Sequence, residues 1–305
     1  MSTERLACMT VDLEPDYLSE DCYEVLLDER RFARFAETLQ DRRVPLSVFV
    51  VAKMLDQALP VRERFGPLDA EFELHSYSHD PSEPDSVREI AGAKAAYRTY
   101  FGRDPRGYRA PCGFITAPGV RALAAEGFEF SASIFPSHRR ELGFDHTALP
   151  LDPFVWREGE RDLLVEIPFA VSRKPRIVIC ESYLKLFGLG VFKMLHRLGG
   201  FPDTLVIDSH LYDYFVTATV LKLSKLDYRR YALLRNQDNA LELLGDLVDF
   251  LKGHGYRFTR VGEVYDRSRA RHKELPRVGL GHLERTTYKP PPRQADALAS
   301  RQALP

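Results

Sequence analysis

Leu6-Ala7-Cys8-Met9-Thr10-Val11-Asp12-Leu13-Glu14 is the stretch from which the chain is best read. Up to Leu13 it is a short apolar run, the pattern of a buried first strand. Side chains alternate along a strand, so Asp12 and Glu14 share one face while Val11 and Leu13 share the other. Two carboxylates on one face of an apolar strand are costly to bury unless they are paired or bind a metal. The plainer reading is a solvated strand end that runs into Pro15-Asp16-Tyr17. This stretch alone leaves both open.

Further along, strand-like and helix-like segments alternate. Asp28 to Asp41 carries Phe32, Phe35 and Leu39 at helical spacing behind an acidic start. Val44 to Val51 is β-rich, a helix over Met54 to Arg64 follows, and Glu71 to His75 reads as the third strand. Ser86 to Tyr100 is helical, Gly107-Tyr108-Arg109 enters a fourth strand, and a helix from Pro118 to Glu126 leads into Phe128 to Ile134. Strands at Leu163 to Pro168 and Thr204 to Ser209, a helix over Asn239 to Lys252 and the strand Tyr256 to Thr259 complete the set. Such alternation predicts a parallel sheet, doubly wound or closed as a barrel, and about seven units suit a barrel of TIM type or a near relative. Residues 1–266 are expected to form this catalytic unit. Residues 267–305, basic, poor in apolar residues and containing Pro290-Pro291-Pro292, are expected to be a loosely ordered extension.

The 305 residues carry a formal net charge of -1, so no global field points to nucleic acid. Cys8, Cys22, Cys112 and Cys180 have no paired metal spacing and read as free thiols of a reducing compartment. The start, Met1 to Arg5, lacks signal-peptide features, and cleavage there would remove the candidate acids, so a cytoplasmic protein is expected. No apolar run approaches the roughly 20 residues that span a bilayer.

Two more motifs carry chemistry. In His75-Ser76-Tyr77-Ser78-His79 two imidazoles stand four residues apart after a strand, and one helical turn would bring them together. Imidazole with carboxylate suits zinc or a late first-row metal, although two surface histidines would read the same. In Arg109-Ala110-Pro111-Cys112-Gly113-Phe114 an arginine at a strand end precedes a stiff loop, an arrangement that aims a guanidinium at a carboxylate.

Taken in order, Asp-x-Glu, His-x-x-x-His and Arg-x-Pro resemble the motifs of the polysaccharide-deacetylase (NodB-homology) superfamily, also called carbohydrate esterase family 4. Leu46 to Val50, Ser133-Ile134-Phe135-Pro136 and the late Val206-Ile207-Asp208-Ser209-His210 extend the resemblance over roughly Leu6 to Asp266. It implies a distorted (β/α)7 TIM-like barrel and a metal-dependent amidohydrolase that removes an N-acyl group, acetyl or formyl, from an amino sugar. By position, Asp12 would be the general base and Arg109 its orienting partner. Glu14, His75 and His79 would hold a divalent metal, zinc first, with cobalt, nickel or ferrous iron as alternatives. The backbone N–H of Cys112 would help hold the oxyanion, and His210 would be the general acid.

Two departures stand out. Glu14 occupies a place where the family usually has aspartate, and Asp16 is the alternative ligand. At the place of the aspartate that supports the acid histidine stands Ser131; Asp208 reads as a substitute support or, equally, as a salt-bridge or substrate residue. Glu73 and Glu166 are candidate supports, and each reads equally well as a core ion-pair residue. His138, His146, His196 and His254 are expected on the surface or in loops.

Residues 183–198 and 215–226 interleave apolar residues with lysine and arginine near the expected catalytic mouth. They fit either a surface docking at the inner membrane face, for a lipid- or polyprenyl-linked amino sugar, or ordinary barrel helices and a subunit interface. Two further functional classes stay open: a metal-independent amidase of the same fold acting on a small cyclic or linear amide, and a binding protein without catalysis.

Overall fold

The computed structural model describes residues 4–57 and 59–289. Among them the strands are β1 (Arg5–Leu13), β2 (Leu46–Val50), β3 (Ala70–Leu74), β4 (Gly107–Tyr108), β5 (Phe130–Ser131), β6 (His138–Arg139), β7 (Phe144–Asp145), β8 (Phe154–Glu158), β9 (Arg161–Glu166), β10 (Thr204–Ile207), β11 (Tyr256–Phe258) and β12 (Arg277–Gly279).

The alternation read in β1 separates two cores. Ala7, Met9, Val11 and Leu13 pack among the helix residues Phe32, Phe35 and Leu39. Leu6 and Cys8 join Phe49, Phe130, Val165 and Val206 on the opposite face of the sheet. Further along that second face the residues turn polar: Thr10 and Asp12 are buried there and bond the Arg109 guanidinium. The site therefore stands on an apolar floor made by the same strand faces.

Seven strands run parallel in the order β10-β1-β2-β3-β4-β5-β9, with β8 antiparallel beyond β9 and β11 beside the start of β1. Among the described residues no ladder joins β9 to β10. The segment after β9 spans the interval: Phe169 N–H donates to Ile134 O at 2.9 Å, Ala170 N–H donates to Val206 O at 2.8 Å, and Cys180 forms an isolated bridge with Asp208. The expected seven parallel units are present, with the distortion concentrated at this seam.

Local chemistry sets the helix starts. Asp28 Oδ1 accepts Arg30 N–H and Arg31 N–H at the head of helix Glu29–Asp41, and Ser86 caps Val87–Phe101 in the same way. Burying Phe32, Phe35 and Leu39 from the first of these helices stabilises it by roughly 2 kcal/mol apiece. At Gly107 a Cβ would lie 2.3 Å from the Phe130 ring, so only glycine lets β4 and β5 approach.

Three expectations need correction. The helix expected over Met54 to Arg64 is two helices, Ala52–Asp56 and Val61–Phe65, because Pro60 lacks an N–H and stands at the head of the second. The strand expected from Phe128 to Ile134 keeps only two paired residues, since the chain then bends toward the site. Finally, the extension beyond Asp266 is folded as far as residue 289. Helix Val261–Ala270 runs through it, β12 pairs in parallel with β8, and the Tyr288 ring stacks on Phe114 at 4.7 Å. Its apolar residues are few, but Leu280 and Leu283 are buried against an existing core, and Arg267 pairs with Glu4 and Glu263. Pro290-Pro291-Pro292 and the rest lie outside the described residues.

Candidate functional site

The deepest element is Arg109, fully buried just after β4. Its guanidinium carbon lies 3.8 Å from the centroid of the Phe49 ring and 4.3 Å from that of Phe169, so two aromatic faces favour the charge. Its Nη1 reaches Asp12 Oδ1 at 2.5 Å, Asp208 Oδ1 at 3.1 Å and Thr10 Oγ1 at 2.9 Å. Three strands thus meet through one cation. Burial and the neighbouring Asp12 charge push Asp208 up to about 8.

Above it, Glu14, His75 and His79 converge, with one ligand atom from each lying within 4.8 Å of the others. Glu14 Oε2 is 2.6 Å from His79 Nε2 and 3.7 Å from His75 Nε2. His75 Nδ1 lies 3.0 Å from Arg109 O; a carbonyl only accepts, so Nδ1 carries the hydrogen and Nε2 keeps its lone pair toward the site. The histidines meet by a turn rather than the helical turn expected from their spacing. Ser76 (φ 60°) and His79 (φ 61°) are left-handed, and Ser76 Oγ accepts the His79 N–H at 3.0 Å. Such backbone is uncommon for residues with a Cβ and is held here by its surroundings.

The donor set fits a divalent cation on its own chemistry: two imidazoles and a carboxylate whose Oε2 faces both imidazole Nε2 atoms. Burial opposes the charge on Glu14, but the imidazoles of His79 and His210 outweigh it and hold the carboxyl well below its usual range. Asp16, the alternative ligand, points elsewhere and accepts Glu24 N–H at 2.7 Å.

On the far side stands His210, with Nε2 3.6 Å from Glu14 Oε1. Its Nδ1 faces Asp213 Oδ2 at 3.1 Å, and that oxygen also accepts the His210 backbone N–H at 2.8 Å. Asp213 is fully buried, and its other oxygen accepts from Ser182 Oγ at 2.7 Å. Burial disfavours the imidazolium, but Glu14, Asp213 and Asp208 together raise His210 well above its ordinary value. Asp208, considered as the supporting acid, bonds Arg109 instead, and Asp213 was overlooked. Its signal was present as an acid three residues into a short helix, the N3 position of a capping box.

Cys112 lies in the loop between, left-handed at φ 56° and followed by Gly113 at φ 72°. A Cβ on Gly113 would meet Ser133 O and the Phe135 ring at 2.7 Å, so the loop is pressed against the next strand end. Burial and Glu14 push the Cys112 thiol up to about 12, leaving it unfit as a thiolate nucleophile. Ser131 bonds Ser133, whose Oγ accepts Ala110 N–H at 2.9 Å, so these serines brace the same loop.

Glu166 accepts Ser133 N–H and Ile134 N–H at 2.8 and 2.9 Å and the Trp156 Nε1–H at 3.1 Å, bracing that chain segment from behind. Glu73 accepts the backbone N–H groups of Arg106 and Gly107 and makes no bond to His75. His146, expected on the surface or in a loop, lies in the loop after β7 and is fully buried, with Nδ1 2.9 Å from His282 Nε2. Tyr212 was also unforeseen: its hydroxyl donates to Glu14 Oε1 at 2.7 Å.

Residues 3–131 match the family model described as polysaccharide deacetylase. That match spans the Asp12, His75, His79 and Arg109 motifs and agrees with the resemblance read from them. No curated protein matches the sequence. Among solved structures, a probable polysaccharide deacetylase from Pseudomonas aeruginosa PAO1 superposes with a TM-score of 0.57 at 14% identity, covering 88% of this chain and 92% of its own. Puue allantoinase superposes with a TM-score of 0.55 at 14% identity, with the same coverages of 88% and 92%. These likenesses concern the fold.

Proposed function

We propose that the protein is a metal-dependent deacylase that hydrolyses the N-acetyl or N-formyl amide of an amino sugar. The observation that carries this reading is the position of the Glu14, His75 and His79 ligand atoms between two oriented proton-handling groups. A divalent cation held by these three residues, zinc first among the candidates, supplies Lewis acidity to an amide carbonyl and to water.

The remaining chemistry belongs to the chain. Asp12 has one oxygen fixed by Arg109, while Oδ2 lies 3.6 Å from His75 Nε2 and faces the site, placed to accept a proton from attacking water. His210, held through Nδ1 by Asp213, turns Nε2 inward to deliver a proton to the leaving amine. The Cys112 N–H, in its braced loop, is the donor for the developing oxyanion. Arg109 holds Asp12 in place without touching the substrate.

Within this reading the protein is cytoplasmic and meets the inner membrane face. Among the described residues no helix is long and apolar enough to cross a membrane. Both apolar segments have a buried and an exposed side: Leu184, Leu189, Phe192 and Leu195 are buried while Phe187, Met194 and Leu198 are exposed near Lys193 and Arg197, and Val220 and Leu223 are buried while Leu221 and Leu226 are exposed beside Lys222 and Lys225. Contact with anionic lipid, and hence a lipid-linked sugar, would use these exposed apolar and basic residues. Flotation with anionic vesicles tests this; no association removes the lipid-linked version of the substrate.

The test of the activity is amine release from N-acetyl and N-formyl amino sugars, free and lipid-linked, before and after chelation. Turnover lost on chelation and restored by zinc or cobalt is expected. Undiminished turnover in chelated protein favours the metal-independent amidase.

A further inference from the structure

Glutamate reaches one methylene farther than aspartate, and its carboxylate can rotate broadly about its last torsion. In Glu14 this freedom is removed by Tyr212. The tyrosine stands in the short helix Leu211–Tyr214 directly after His210, and it is buried. Its hydroxyl donates to Glu14 Oε1 at 2.7 Å. With Oε1 so engaged, Oε2 is the oxygen turned to His79 at 2.6 Å and His75 at 3.7 Å.

The same ring stacks on His210, with centroids 4.7 Å apart and planes 11° from parallel, and Tyr17 packs against it at 5.9 Å. One side chain thus touches both the carboxylate of the triad and the imidazole opposite it.

We propose that Tyr212 is a positioning residue. By occupying Glu14 Oε1 it presents Oε2 alone to a cation shared with His75 and His79, and by stacking on His210 it fixes the distance between the two halves of the site. The proposal rests on the metal reading of Glu14, His75 and His79. It accounts for glutamate at this place: an aspartate would fall short of the Tyr212 hydroxyl.

The experiment compares wild type, Tyr212→Phe, Glu14→Asp and the double variant, each stripped of metal and titrated with zinc against a chromophoric chelator. Phenylalanine keeps the ring and its packing, and circular dichroism verifies the fold. Zinc affinity in Tyr212→Phe is expected to fall about 10- to 100-fold, the range for lost partners of a metal ligand. In the Glu14→Asp background the same change should cost almost nothing, because the hydroxyl has no carboxylate within reach. Equal affinities of wild type and Tyr212→Phe, or an equal loss in both backgrounds, would overturn the role of Tyr212 while leaving the triad standing. Absence of zinc uptake by the wild type would remove the triad and this proposal together.

Discussion

Asp213 Oδ2 lies 3.1 Å from Nδ1 of His210 and also accepts that residue's backbone N–H at 2.8 Å. One carboxylate oxygen therefore fixes both the helix start and the orientation of the ring. Removing it should free the imidazole to rotate and weaken its hold on a proton. We predict that Asp213→Ala lowers kcat roughly a hundredfold, within the range for general acid catalysis, with KM little changed. Asp208→Asn should cost much less, because an amide oxygen can still accept from Arg109. Steady-state kinetics on both variants checks the assignment; a larger loss in Asp208→Asn would reverse it.

Arg109 is the guanidinium buried against both Asp12 and Asp208. Replacing it by methionine keeps much of the volume and removes the cation that bonds both acids. The expected loss is about 3–5 kcal/mol of folding stability, the usual result of breaking a buried pair. Urea unfolding at neutral pH measures it. The loss should shrink as pH falls, where Asp208 binds a proton; a loss independent of pH would mean that packing, not charge, dominates.

His146 is buried against His282, and burial followed by the His282 charge lowers it from 6.5 to about 4. Asp145 acts in the opposite direction. Between these values the unfolded chain binds a proton that the folded chain refuses, so the stability conferred by the neutral pair is complete above about pH 6.5 and drains away as pH falls toward 4. The urea midpoint of the wild type should therefore fall more steeply over that window than that of His146→Gln. Parallel slopes would contradict the assignment.

Tyr288 ties the C-terminal segment to the loop that carries Cys112. Its ring stacks on Phe114 at 4.7 Å, and its hydroxyl donates to Ile115 O at 2.7 Å. Tyr288→Ala should loosen that loop and lower kcat by roughly tenfold or more, since small displacements near reacting atoms are costly. Unchanged turnover would mean that the loop is held by Gly113 and the serines alone.

The strands and most of the site could be read in the sequence because alternation is a local property. Asp12 and Glu14 fall on one face of β1 whatever the rest of the chain does. What stayed hidden depends on distant contacts or on backbone torsions. Nothing local shows that Ser76 and His79 adopt positive φ, so the meeting of the histidines was traced to the wrong turn. Glu73 shares a strand face with His75 but is captured by backbone N–H groups of the next strand. Tyr212 shows why two neighbouring motifs can remain unlinked in one dimension, since its partner Glu14 lies 198 residues away. Residues 267–289 read as loose in sequence yet fold, because a few apolar residues suffice when a finished core surface awaits them.

Zinc titration of metal-free protein by calorimetry, wild type beside a His75→Ala/His79→Ala variant, tests most directly whether Glu14, His75 and His79 grip one cation. The account predicts one ion per wild-type chain and none in the variant at the same concentrations. Stoichiometric uptake by the variant, or no uptake by the wild type, would contradict it.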